Sequence, residues 1–122
     1  MKRVSGLYII LLFVSCNMGY VSVRFQNNSD EDFRLLQVNI LGEKFGFEDI
    51  GKGQYTKYVR VSRTYPYCFA MVITAKDTLV CQPEDYVGET LYTNGKMIMK
   101  LTISKHGNHH RSLEIESEPS FF

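Results

Sequence analysis

Apolar and polar residues alternate at period two along Val21-Ser22-Val23-Arg24-Phe25-Gln26, which places Val21, Val23 and Phe25 on one face of a strand. A polar turn cluster over residues 27–32 follows. Residues 33–40 then resume the pattern, with Leu36, Val38 and Ile40 opposed to Gln37 and Asn39. Leu41-Gly42-Glu43 turns the chain into a third segment, residues 44–50, and Gly51-Lys52-Gly53 reverses it again, because glycine reaches the positive φ values that tight reversals require. Residues 55–61 set Tyr55, Lys57, Val59 and Val61 against Thr56, Tyr58 and Arg60. The run over residues 65–74 is apolar on both faces, the pattern of a central strand, and a two-residue turn at Lys76-Asp77 predicts a hairpin with residues 78–82. Residues 83–89 form the longest irregular connection. Asn94-Gly95 signals a type I′ turn ahead of residues 97–103, where Met97, Met99, Leu101 and Ile103 share a face. After a reversal at His106-Gly107-Asn108, residues 111–116 point Leu113 and Ile115 inward and Glu114 and Glu116 outward.

About eight short strands spaced near ten residues apart, with no helical stripe after the N-terminal segment, predict an all-β fold. The expected architecture is a single immunoglobulin-like or transthyretin-like sandwich of antiparallel strands. The chain has no Trp, and it lacks the Cys-Trp-Cys framework of true immunoglobulin domains.

The N-terminus reads differently. Lys2 and Arg3 precede an apolar run over residues 7–14 that stops at Ser15-Cys16, the arrangement of an export signal. The run is far shorter than the ~20 residues needed to cross a bilayer core. A cysteine directly after the cut points to a lipoprotein in which Cys16 carries the acyl chains, with ordinary secretion as the alternative. The expected organisation is a signal peptide over residues 1–15, a lipidated Cys16 with a tether over 16–20, a sandwich domain over 21–117 and a frayed tail over 118–122. Asn17 is not the aspartate of inner-membrane retention, which favours the outer membrane.

Phe13-Val14-Ser15-Cys16, the Gly51-Lys52-Gly53 turn followed by Tyr55 and Tyr58, and Pro83, Asp85, Tyr86, Gly88 and Glu89 ahead of Gly95-Lys96 together resemble the small lipoproteins frequent in Bacteroidetes. The resemblance spans the chain. It implies an envelope location and a β domain, and it transfers no catalytic residue.

Composition narrows the function classes. Loss of Lys2 and Arg3 with the signal leaves 12 of the 14 basic residues against 13 acidic ones. That balance lacks the basic footprint of a nucleic-acid binder. No nucleophile elbow, phosphate loop, zinc-protease helix or dinucleotide fingerprint occurs, and Cys68 and Cys81 lie in apolar runs where thiols are inert, so no catalytic residue and no cofactor is expected. Their expected register separates these cysteines too far for a disulfide. All three histidines, His106, His109 and His110, gather in one turn and form the weak candidates for a metal site. Acidic side chains cluster in two turns, at residues 30–32 and 84–89, and both read as solvated turn charge. The aromatic residues Tyr55, Tyr58, Tyr65, Tyr67, Tyr86 and Tyr92 offer core packing or an interface. The localised site expectation is the loop over residues 83–89, with Asp85, Tyr86 and Glu89 as a binding surface for a protein or glycan partner. Together these readings describe a lipid-anchored envelope protein with a non-catalytic binding or structural role, or alternatively a periplasmic metal binder using the histidine turn.

Overall fold

A computed structural model describes residues 19–107 and 110–120. The expected signal segment, Cys16, His109 and the last two residues lie outside the described residues. Among the described residues eight strands form two four-stranded sheets: β1 (Val21–Asn27), β2 (Phe33–Ile40), β3 (Glu43–Ile50), β4 (Val59–Val61), β5 (Phe69–Ile73), β6 (Thr78–Cys81), β7 (Gly95–His106) and β8 (His110–Ser120). One sheet has the order β4-β1-β7-β8 and the other β3-β2-β5-β6. The fold is an all-β, sandwich-like pair of sheets.

The alternating patterns predict which faces meet. Val21, Val23 and Phe25 of β1 are buried with Met97, Met99 and Leu101 of β7, and they pack with Leu36, Val38 and Ile40 of β2 and Ala70 and Val72 of β5. Each large side chain so buried stabilises the fold by roughly 1.5–3 kcal/mol. Across the core the Phe25 and Phe47 rings lie 5.9 Å apart, and the Cys68 thiol meets the Met99 sulfur at 3.8 Å. Arg111 of β8 ties the layers at one end, reaching Glu31 at 2.8 Å and Asp77 at 3.3 Å. Glu31 is therefore part of a largely buried ion pair rather than solvated turn charge.

Several expected boundaries shift, each for a local reason. Of the strand pairs among the described residues, β1 with β7 alone is parallel, and Gly95, instead of turning a hairpin, opens β7 opposite Val21 with φ 101°. The segment before it is engaged elsewhere, through reciprocal backbone hydrogen bonds between Thr64 and Tyr92 at 2.8 and 2.9 Å. Only Val59–Val61 of the fourth segment is strand, because the Thr56 hydroxyl takes the Phe25 N–H that a continuing ladder would use. The central run is strand only over Phe69–Ile73, though β5 does lie inside its sheet between β2 and β6. At the β5–β6 hairpin the Thr74 hydroxyl accepts the N–H groups of Lys76 and Asp77, and the Thr74 N–H reaches the Asp77 carbonyl at 2.9 Å. The turn is thus Ala75-Lys76, and Cys81 faces Ala70, whereas the expected Lys76-Asp77 turn would set it opposite Val72. β8 continues through Ser120, paired with Lys96, so residues 118–120 are strand and not a frayed tail. Pro119 is tolerated there because β8 is an edge strand.

Candidate functional site

The loop over residues 83–89 is built around Tyr67. Tyr67 donates its hydroxyl hydrogen bond to the Asp85 carbonyl at 3.0 Å, and its ring stacks on Tyr86 with centroids 5.4 Å apart. Tyr65 stacks on the same Tyr86 ring at 4.4 Å. Tyr65 and Tyr67 flank a bend at Pro66, and both rings meet the one ring of Tyr86. Desolvation, followed by the nearby Glu89 charge, raises the Tyr67 phenol above its ordinary range. The structure therefore brings Asp85, Tyr86 and Glu89 together, but as a pinned corner. The Asp85 carboxylate accepts the Val87 N–H at 2.8 Å, the Glu89 N–H reaches the Tyr86 carbonyl at 3.0 Å, and Val87 projects at the tip with 90% of its surface exposed.

The histidines separate into a described pair and a residue outside the described set. His106 and His110 face each other as the last rung between β7 and β8, with ring centroids 5.8 Å apart. Among the described residues no group of three His, Cys, Asp or Glu side chains is placed to hold a metal ion. Cys68 and Cys81 are both free thiols. Facing Ala70, Cys81 stands diagonally from Cys68 on the same side of the sheet, a relation that sets such neighbours about 7–8 Å apart, beyond the ~7 Å Cα separation a disulfide tolerates. Burial pushes the Cys68 thiol up to about 12, and burial also raises Cys81, which is only half-buried and lies near Glu114.

A second cluster occupies the outer face of the β4-β1-β7-β8 sheet. The Arg24 guanidinium stacks on two rings, 4.1 Å from the Tyr55 centroid and 4.8 Å from that of Tyr58. Lys96 approaches Tyr58 from the neighbouring strand at 5.7 Å, and Arg60 lies 4.5 Å over Tyr20. Strand pairing produces this arrangement. Ser22 faces Arg60 on one side and Lys96 on the other, Arg24 faces Ile98, and Tyr55 bridges to Gln26. Such contacts contribute about 0.5–1 kcal/mol each at exposed sites. Tyr55 and Tyr58 remain 46% and 42% exposed, and the Arg24 Nε is buried without a hydrogen-bond partner. None of Arg24, Arg60 and Lys96 is in an ion pair with a described carboxylate, whereas Lys100 is bonded to Glu118 at 2.6 Å. Sequence alternation already turns Arg24 and Lys96 outward. Their meeting with Tyr55 and Tyr58 depends on pairings between distant segments that no local pattern encodes.

No protein-family model matches the chain, and no curated protein is similar to it. Its fold is similar to that of a protein from Eubacterium rectale solved by NMR, with a TM-score of 0.54 at 9% identity, over 80% of this chain and 87% of the other. At that identity the similarity concerns the fold.

Proposed function

We propose that this chain is an exported, lipid-anchored cell-envelope protein with a non-catalytic binding role, exercised through the outer face of the β4-β1-β7-β8 sheet. The observation that carries the binding reading is the Arg24 guanidinium stacked on two half-exposed tyrosines with Arg60 and Lys96 beside it. The β4–β1 side of that face holds Arg24, Arg60 and Lys96 outside any ion pair with a described carboxylate, and a ligand of opposite charge would gain from all three. The anchor rests on the basic start, short apolar run and Ser15-Cys16 of the sequence, in keeping with the resemblance to Bacteroidetes lipoproteins and with an outer-membrane location. Support for a non-catalytic role comes from the thiols, since burial holds Cys68 protonated and raises Cys81, leaving poor nucleophiles. We assign the loop over residues 83–89 to architecture. Metabolic labelling with a palmitate analogue tests the anchor: the wild type takes the label and Cys16→Ala does not, while an unlabelled wild type overturns it.

The facing His106 and His110 rings favour a second reading, a periplasmic metal site completed by His109. Calorimetric titration with Zn and Cu distinguishes it. Stoichiometric binding that disappears when all three histidines are replaced supports it, and equal heats in both proteins remove it.

A further inference from the structure

We propose that the Arg24, Arg60 and Lys96 face is a membrane-docking surface, laying the sandwich against the anionic phospholipid headgroups of the bilayer that holds the Cys16 anchor; this rests on the anchor reading above. Tyr20 immediately precedes β1, and the four Cα–Cα steps from Cys16 to Tyr20 span at most about 14 Å fully extended. An acylated Cys16 therefore confines the start of β1 to the headgroup zone. The side chains displayed at that end are Tyr20, Arg60 and Lys96, the latter two flanking Ser22, with Arg24, Tyr58 and Tyr55 following along the strand.

Charge is divided across this face. Arg60, Arg24 and Lys96 occupy β4, β1 and the start of β7, while Glu114, Glu116 and Glu118 point out of the same face from the β8 edge. There Glu118 is paired with Lys100 and Glu114 with Ser104, so the β4–β1 side is the one that presents cations outside any ion pair with a described carboxylate. Asp30 meets Lys105 near the far end of β7, placing the acidic turn over residues 30–32 away from the anchor. A lipid phosphate approaching the β1 end thus meets cations first. Tyrosine suits the same boundary, with an apolar ring for the acyl edge and a hydroxyl for the headgroups. The mature chain carries nearly balanced charge, so the attraction is local to this face. Each Arg or Lys close to an anionic membrane raises partitioning roughly fivefold, so three raise it by at most about a hundredfold, less the repulsion of whichever β8 glutamates also face the bilayer. That is too weak for attachment unaided and sufficient to orient a protein the anchor already holds there.

Full-length lipidated protein, purified in detergent and reconstituted into vesicles, provides the test. Hydroxyl-radical footprinting of Tyr55 and Tyr58 is compared in phosphatidylcholine vesicles and in vesicles containing about one-third phosphatidylglycerol. Docking predicts several-fold slower oxidation of both tyrosines in the anionic vesicles, with Tyr86 unchanged. It further predicts that 1 M salt, where the Debye length falls to about 3 Å, abolishes the difference, as does the exposed-site double variant Arg60→Glu with Lys96→Glu. Equal oxidation in the two vesicle types, with acylated Cys16 present by intact mass, overturns docking and leaves the anchor standing. Protection by a soluble polyuronate and not by anionic vesicles also overturns it, assigning the face to a glycan. Absence of the acyl mass removes the anchor and the docking proposal together.

Discussion

Cys68 shows what burial does to a single ionisable group. Its thiol titrates near 9.0 when solvated and is pushed up to about 12 in the fold, chiefly by desolvation. The folded state therefore holds its proton more tightly than the unfolded chain does. Its contribution is complete below pH 9 and is lost as the pH rises from 9 towards 12, with a slope of up to about 1.4 kcal/mol per pH unit. Urea unfolding between pH 8 and 11 checks this: the wild type loses stability with the stated sign, and Cys68→Ala flattens most of the slope, the remainder belonging to Cys81, Tyr67, Tyr86 and Lys100, which are raised as well. An undiminished slope in the variant contradicts the burial account. At Asn27 burial works through hydrogen bonds instead. Its side-chain amide donates to the carbonyls of Glu31 at 2.7 Å and Ile50 at 2.9 Å and accepts from Ser29, tying the end of β1 to two turns. The sequence places Asn27 in a polar turn cluster; its role as a buried hub depends on Ile50, which only the fold brings near.

Among the elements, the β2–β3 hairpin was the more legible and the β5–β6 hairpin the less. Leu41 and Gly42 make the former turn with φ values of 48° and 96°, both left-handed, and the Asn39 side chain accepts the Gly42 N–H at 2.8 Å. Gly42 marks the turn in the sequence. Leu41 does not, because leucine is disfavoured at positive φ by about 1–2 kcal/mol. Leu41→Asn is accordingly expected to raise stability by about 1 kcal/mol in chemical denaturation, since Leu41 is 44% exposed and little packing is lost; a destabilised variant would show that its exposed side chain matters more than its backbone. Asp49, at φ 54°, is a similar case within β3. There the inward-facing set changes from Phe45 and Phe47 to Ile50, as it does from Phe33 to Leu36 on the paired β2, a switch that strict alternation cannot express. Counting alone misplaced the β5–β6 turn by one residue because Thr74 uses its hydroxyl in place of a backbone partner. The side-chain faces survived, since shifting such a turn by one residue moves each cross-strand partner by two.

At the scale of the whole molecule, the class of fold was legible from period-two runs, whereas sheet order was not. The parallel contact of β1 with β7 joins segments separated by the entire second sheet. The same nonlocality hid the Arg24 cluster while leaving the loop over residues 83–89 conspicuous in sequence. That loop now makes its own prediction. Tyr86 stacks on Tyr65 and Tyr67, so Tyr86→Ala should destabilise the domain by about 1–3 kcal/mol; a variant of unchanged melting temperature would show that the stack contributes nothing to the fold and would return the loop to the list of binding surfaces. The account of an anchored sandwich displaying a cationic, aromatic face depends most directly on where the mature chain begins and what its first residue carries. Intact mass spectrometry of the protein extracted from envelopes measures both. The account predicts a chain starting at Cys16 with a thioether-linked, acylated glyceryl group; a chain starting elsewhere, or a Cys16 bearing an unmodified thiol, contradicts it.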